Sequence, residues 1–130
     1  MHYLSSADLI AIHELLIARM GGMAGITEAG FGRLDQAAAA PQLSAFGAEL
    51  FVDEQSKAAA LCHAIVRGHP FSDGNKRVAL VALDVFLTQN GYTLTATNDQ
   101  AYETMMALAS GDMERAALIA WVKQNVERDT

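Results

Sequence analysis

The sequence has little of what marks secreted, disulfide-bonded or membrane proteins. Its 130 residues include one cysteine, Cys62, which excludes an intramolecular disulfide and a CxxC metal or redox site. No apolar run approaches the ~18 residues that a membrane span needs, and the first residues lack the basic start and apolar middle of a signal peptide. We therefore expect a cytoplasmic protein without a membrane partner, folded as a single domain over residues 1–130.

Basic residues are also scarce. Nine Lys and Arg face 15 Asp and Glu, which gives a formal net charge of −6, whereas proteins that bind nucleic acids or anionic membranes need a basic surface. Direct nucleic-acid binding is therefore not expected. A polyanionic ligand would have to meet a local basic cluster, and the compact candidate is Lys76 with Arg77, to which Arg67 can be added.

Proline is rare, with two residues, and β-branched alternation is scarce. Abundant alanine and apolar residues at helical spacing instead favour an all-α protein of about six helices. The predicted helices begin near Ser5 or Ser6, Thr27 or Glu28, Glu54, Asn75, Asn98 or Asp99, and Asp112. Residues 41–53 fit neither a helical nor a strand pattern, so their structure stays open.

One predicted helix differs from the others in its apolar content. The segment from Asn75 to Asn90 carries apolar side chains on nearly every face. A helix of this kind is typical of a buried position. We therefore expect the other helices to surround a central helix at about 75–90.

The loop before this helix, GHPFSDGNKR at 68–77, holds more chemistry than a chain reversal needs. Pro70 disfavours a helical conformation at the preceding residue, so we predict that His69 lies on extended backbone. A turn at Asp73 and Gly74 would leave the first N–H groups of the next helix facing the loop, and such N–H groups bind anions.

Lys76 and Arg77 in the first turn of that helix point to an anionic ligand. The helix dipole disfavours a cation there by ~0.3–1 kcal/mol, and a bound anion would compensate. The residues together predict a phosphate site with a proton acceptor: His69 as general base, Asp73 as ligand of Mg²⁺, and Asn75, Lys76 and Arg77 with the helix N-terminus on phosphate oxygens.

The same stretch resembles the signature of the Fic/Doc family, which in the Fic branch is HxFx(D/E)GNGRxxR and in the Doc branch ends in NKR. The matching positions are His69, Phe71, Asp73, Gly74, Asn75 and Arg77. Lys76 replaces the second glycine of the Fic pattern and Leu80 its final arginine, as in the Doc branch. The segments LIAIHELLIARMGG and ALVALDVFLTQNG are also similar to Doc (death-on-curing) toxins.

The resemblance implies a single-domain Fic fold and a toxin of a toxin-antitoxin pair. Doc toxins transfer the γ-phosphate of ATP, with Mg²⁺, to a threonine of translation elongation factor Tu, and translation stops. The implied catalytic residues are His69, Asp73, Lys76 and Arg77, with Phe71, Gly74, Asn75, Lys76 and Arg77 at the nucleotide and Asp73 at the metal. The partner would be an antitoxin whose disordered tail folds onto the toxin. Residues 41–53 would form a short β flap that docks the target.

Other interpretations stay open at this point. The same pocket could transfer AMP, as Fic enzymes do, or the chain could be an inactive Fic-fold binding module. His69 could be an ordinary loop histidine held by a backbone carbonyl, and Arg67 a cation at a helix C-terminus. Zinc is not expected, because His13-Glu14 lacks the second histidine of HExxH. The glycine-rich GGMAG, residues 21–25, is by itself weak evidence for a phosphate loop.

Overall fold

The computed structural model describes all 130 residues and contains six α-helices and two small two-stranded sheets. The helices are α1 Ser6–Met20, α2 Gly30–Ala39, α3 Glu54–Gly68, α4 Asn75–Gln89, α5 Asn98–Ser110 and α6 Arg115–Gln124. The strands are β1 Ser44–Ala45 paired antiparallel with β2 Ala48–Glu49, and β3 Tyr92–Leu94 paired antiparallel with β4 Val126–Arg128. The predicted all-α Fic architecture of about six helices is confirmed. None of the helices combines the length and the hydrophobicity that a membrane crossing requires.

Side-chain caps fix where several helices begin. Ser5 caps α1: its side chain accepts a hydrogen bond from the Asp8 N–H, and the Asp8 carboxylate accepts one from the Ser5 N–H. Thr97 and Gln100 form the same capping box on α5, so the cap is neither of the two predicted residues, Asn98 and Asp99.

The start of α6 also differs from the prediction at Asp112. Gly111 closes α5 with φ 87°, and the Met113 N–H donates to the Ala107 carbonyl at 3.1 Å. This bond keeps residues 112–113 in the closure of α5, so α6 starts later, with Glu114 as its N-cap. A side chain suited to capping therefore does not by itself show where a helix begins.

Helix α4 lies at the centre of the fold, packed against α1, α3, α5 and strand β3. One face is fully buried, and its members are Val78, Ala79, Ala82, Leu83, Phe86 and Leu87. The expectation of burial on every face is too broad, because Leu80, Val81 and Val85 are only partly buried. Leu80 and Val81 instead line an apolar groove of about 570 Å³ between α1, α4 and α5, which we call the α1–α5 groove.

Residues 41–53 contain the β1–β2 hairpin, a short flap as the resemblance implied. Its tip is Phe46-Gly47, both at positive φ, with Phe46 fully exposed. Lys57 of α3 anchors the flap. Only 2% of Lys57 is exposed, and its Nζ donates to the Pro41 carbonyl at 2.9 Å and to Oε1 of Glu49 at 3.1 Å. The role of the flap in docking a target stays a prediction.

Candidate active site

An open pocket of about 510 Å³ lies where α3 ends and α4 begins. The loop after α1 and one side of α5 complete its walls. The predicted site residues that line it are His69, Asp73, Gly74, Asn75, Lys76 and Arg77. Phe71 is fully buried and does not reach the pocket, so its predicted place among the nucleotide ligands has no support in the geometry.

His69 takes a backbone conformation that the sequence analysis did not predict. It caps the C-terminus of α3 at φ 51° and ψ 56°, in the left-handed region, and its N–H donates to the Ile65 carbonyl at 3.0 Å. The extended backbone predicted from Pro70 is therefore wrong, since closing α3 decides the conformation. A left-handed non-glycine residue costs ~1–2 kcal/mol, and such strain is often found at functional sites.

The imidazole of His69 is free to act on a ligand. The side chain is exposed, lines the pocket and forms no hydrogen bond with the protein. An ordinary loop histidine held by a backbone carbonyl is therefore not what the structure contains. Its position beside a donor-rich helix end suits proton transfer at a bound phosphoryl acceptor.

Asn75 supports the loop through its side chain. Its Oδ1 accepts the Phe71 N–H at 3.0 Å, and its Nδ2 donates to the Phe71 carbonyl at 2.9 Å. The Phe71 ring stacks on His13, with centroids 4.0 Å apart and planes 11° apart. The side chain of Asn75 is thus engaged within the protein, and what it can offer a phosphate is its backbone N–H.

His13 belongs to the site and was not predicted. It is buried on α1, 3% exposed, and its Nε2 lies 2.9 Å from the Asp73 carbonyl oxygen. A carbonyl can only accept, so Nε2 carries the proton. The bond fixes the turn that presents Asp73. The available signal was a histidine on the apolar face of a helix, which more often indicates ordinary core packing.

The carboxylate of Asp73 is exposed and held by backbone donors. Its Oδ2 accepts the Met23 N–H at 3.0 Å and its Oδ1 the Gly74 N–H at 2.9 Å. These two hydrogen bonds, with a smaller contribution from Arg77, lower the pKa of Asp73 below its ordinary value. The carboxylate is therefore charged at neutral pH.

The glycine-rich segment after α1 forms the opposite wall. Gly22 has φ 113°, and a Cβ at this position would lie 2.7 Å from Oδ2 of Asp73. Gly21 and Gly22 both line the pocket. The glycine-rich segment, which was weak evidence in the sequence, is thus part of the site. Glycine is needed at position 22, because a side chain there would displace Asp73.

The same segment is tied to the motif loop by backbone hydrogen bonds. Thr27 donates from its N–H and its Oγ1 to the Pro70 carbonyl, at 3.0 and 3.1 Å. The Ser72 N–H donates to the Gly25 carbonyl at 3.1 Å. These bonds hold Pro70 and Ser72, which lie between His69 and Asp73, against the loop after α1.

The N-terminus of α4 is a set of unused donors. Its N-cap, Gly74, has no side chain to accept a hydrogen bond, and the first helical bond is from the Val78 N–H to the Gly74 carbonyl. The N–H groups of Asn75, Lys76 and Arg77 therefore lack helical acceptors. Neither Lys76 nor Arg77 forms a salt bridge. This end of α4 can bind an oxyanion.

A metal ion would have a partial site here. No group of three or more His, Cys, Asp or Glu side chains is placed to hold one. Mg²⁺ at phosphate sites commonly uses one or two carboxylates together with the phosphates of the substrate. The exposed, ionised carboxylate of Asp73 fits that role with a bound polyphosphate.

Arg67 does not reach this pocket. Its guanidinium donates from Nη1 to the Leu108 carbonyl at 3.3 Å, and its side chain lines a separate depression. The cation is therefore not available to phosphates beside His69.

Comparison with known proteins shows the family to which the chain belongs. Over 118 residues the chain is 32% identical to the protein kinase doc of Escherichia phage P1. This match covers 87% of this chain and 86% of the relative. Over 92 residues it is 37% identical to the toxin Doc of Mycolicibacterium smegmatis, covering 69% of this chain and 71% of the relative. The model of the Fic/DOC family matches residues 3–87, which include the whole pocket loop. The chain belongs to the Fic/DOC family.

Proposed function

We propose that this protein is the toxin of a toxin-antitoxin pair and transfers the γ-phosphate of ATP to a threonine hydroxyl of elongation factor Tu. The observation that carries the proposal is the convergence of a free imidazole, His69, with the donor-rich end of α4 in one pocket. The names of the two relatives, a toxin and a protein kinase, support a phosphotransfer activity that harms the cell.

Each residue of the pocket has a defined task in this reaction. The N–H groups at the start of α4, with Lys76 and Arg77, bind the phosphate oxygens and balance their charge. His69 accepts the proton of the attacking threonine hydroxyl, which contributes ~10²–10⁴-fold to the rate. Asp73 would hold Mg²⁺, which neutralises negative charge on the phosphates.

Two positions favour γ-phosphate transfer over the transfer of AMP. Lys76 places a cationic side chain where the Fic pattern has glycine. Leu80, where that pattern ends in arginine, is apolar and faces the α1–α5 groove. The pocket therefore lacks the second arginine that helps Fic enzymes to seat ATP, and AMP transfer is the second candidate.

The test is to incubate the purified protein with elongation factor Tu and ATP labelled at either the α or the γ phosphorus. We expect label on elongation factor Tu from the γ position alone and none with a His69→Ala variant. His2→Ala is a matched control, because His2 is exposed and lies outside the pocket. Label from the α position would contradict the kinase proposal and establish nucleotidyl transfer.

Expression in growing bacteria tests whether the toxicity of the protein depends on catalysis. Wild-type protein is expected to arrest growth and translation, and His69→Ala protein to fold and leave growth unchanged. Equal toxicity of the two would favour the binding-module interpretation.

The α1–α5 groove supports the antitoxin part of the proposal. Met20, Arg77 and Tyr102 line both this apolar groove and the active pocket. A helix that folds into the groove would therefore reach the pocket and block it. A Tyr102→Asp toxin is expected to escape neutralisation by a co-expressed antitoxin, and unchanged neutralisation would place the antitoxin elsewhere.

A further inference from the structure

A second cationic pocket lies next to the active one and takes no part in the proposed reaction. It has a volume of about 380 Å³ and is lined by His63 and Arg67 of α3, Gly111, Met113, Glu114 and Arg115. His63 and Arg67 are four residues apart on α3, so their side chains share a face. Arg115 approaches from the first turn of α6.

The cations of this pocket have no carboxylate partner. The salt bridges of the protein are Lys57 with Glu49 and Lys123 with Asp53. Glu114 lines the pocket but lies beyond salt-bridge distance of either arginine. In a chain with a net charge of −6, two neighbouring arginines without an acidic partner are unexpected, because acidic residues are in excess.

The arginines are held in place with most of their donors free. Arg115 lies over the Phe51 ring, 4.8 Å from the guanidinium carbon to the ring centroid. Arg67 uses one N–H on the Leu108 carbonyl, at 3.3 Å. A guanidinium has five N–H donors, so both keep donors for a ligand. Contacts that orient an arginine before binding reduce the entropy that binding costs.

His63 lies in the positive field of the two arginines. Its ring is half-buried and forms no hydrogen bond with the protein. Burial, followed by the charges of Arg115 and Arg67, lowers the pKa of His63, against a smaller opposite effect of Glu114. The first N–H groups of α6 add to this field, since Glu114 gives them no side-chain acceptor.

From this convergence we infer that His63, Arg67 and Arg115 form a second oxyanion site, for a phosphate dianion, separate from the nucleotide pocket. Two guanidinium groups and an imidazole around one cavity are the donor set that phosphate selects. The inference goes beyond the proposed function and does not depend on it. The dianion can come from free phosphate or from a nucleotide, and the experiment separates these sources.

The experiment is an NMR titration of the histidine ring signals of the full chain at neutral pH. His63 reports on the second pocket and His69 on the active one. Inorganic phosphate is added at constant ionic strength, with chloride as the control anion. We expect a saturable shift of the His63 signals with phosphate and none with chloride.

Two variants make the result specific. Arg115→Gln is expected to raise the dissociation constant for phosphate, as read from the His63 signals, by ~10-fold or more, because one charge-assisted contact is lost. Arg128→Gln, which removes the same charge on β4, is expected to leave it unchanged. In Lys76→Ala protein the response of His63 is expected to persist, because Lys76 lines only the active pocket.

Three results would overturn the inference. One is the absence of a saturable His63 shift, and another is an equal shift with chloride. The third concerns the source of the dianion: if ATP moves His63 and His69 along one shared curve, and Lys76→Ala abolishes both responses, the pocket is part of the nucleotide site.

Discussion

Replacement of Asn75 by alanine separates a structural role for this residue from a ligand-binding one. Asn75 is 5% exposed and satisfies both backbone groups of Phe71, which is fully buried. The alanine variant leaves that N–H and that C=O without partners, and an unsatisfied buried group costs ~1–3 kcal/mol. We expect the free energy of unfolding to fall by about 2–4 kcal/mol, less than the ~5–15 kcal/mol that holds a domain together.

Urea unfolding measures this loss as a lower midpoint with an unchanged slope. Transfer of labelled phosphate is expected to fall as well, because the loop between His69 and Asp73 loses its brace. Asn98→Ala is the matched control: Asn98 is exposed at the start of α5, and its replacement is expected to change stability by less than ~0.5 kcal/mol. If Asn75→Ala kept wild-type stability and lost only affinity for phosphate, the structural role would be refuted and the role predicted from the sequence restored.

Further variants test the anchor of the flap, the packing of α2 and the charge of Asp73. Lys57→Met removes the donor that joins α3 to the flap, and urea unfolding is expected to show a loss of ~2–3 kcal/mol; an unchanged midpoint would mean that the flap needs no anchor. Gly30→Ala would place a Cβ 2.2 Å from the Pro70 carbonyl oxygen and is expected to destabilise, whereas Gly32→Ala on the same helix meets no atom within 4 Å and is expected to stabilise by ~0.5–1 kcal/mol; effects of the same sign would contradict the packing. The folded state holds the pKa of Asp73 below its ordinary value, so its stabilising effect is present above about pH 4 and is lost as pH falls through the lowered pKa. In metal-free buffer, Asp73→Asn protein is therefore expected to lose less stability than wild type between neutral and acidic pH, and an equal loss would show that this carboxylate is not stabilised.

The features that could be predicted from the sequence are local in the chain. The Ser5 cap, the helical spacing of apolar residues and the terminal glycine predict helix α1. The motif residues lie within nine consecutive positions, so their meeting in one pocket required only a turn and a helix start. The family resemblance rests mainly on the same contiguous stretch, and the family match confirms it.

The features that were missed depend on contacts between distant segments. His13 meets the Asp73 carbonyl across 60 residues of sequence, and Lys57 is buried only because Pro41 and Glu49 surround its ammonium group. No local pattern marks either residue. The left-handed His69 shows the same limit, since the effect of Pro70 was outweighed by the closure of α3.

The second cationic pocket could not be predicted because its cations are dispersed in the sequence. Arg115 lies 48 positions after Arg67, as the numbering shows. The cations that are adjacent in the sequence are Lys76 and Arg77. The packing of α6 against α3 decides which cations meet.

Phosphate transfer in the active pocket requires that the amino end of α4 bind the phosphates of ATP. The most direct measurement is a titration of ¹⁵N-labelled protein with ATP and Mg²⁺ that follows the backbone amide signals, with adenosine as the control that lacks phosphates. We predict saturable shifts that are largest at Gly74, Asn75, Lys76 and Arg77, absent with adenosine and weakened in Lys76→Ala protein. The absence of saturable binding, or shifts centred away from these four amides, would contradict the account.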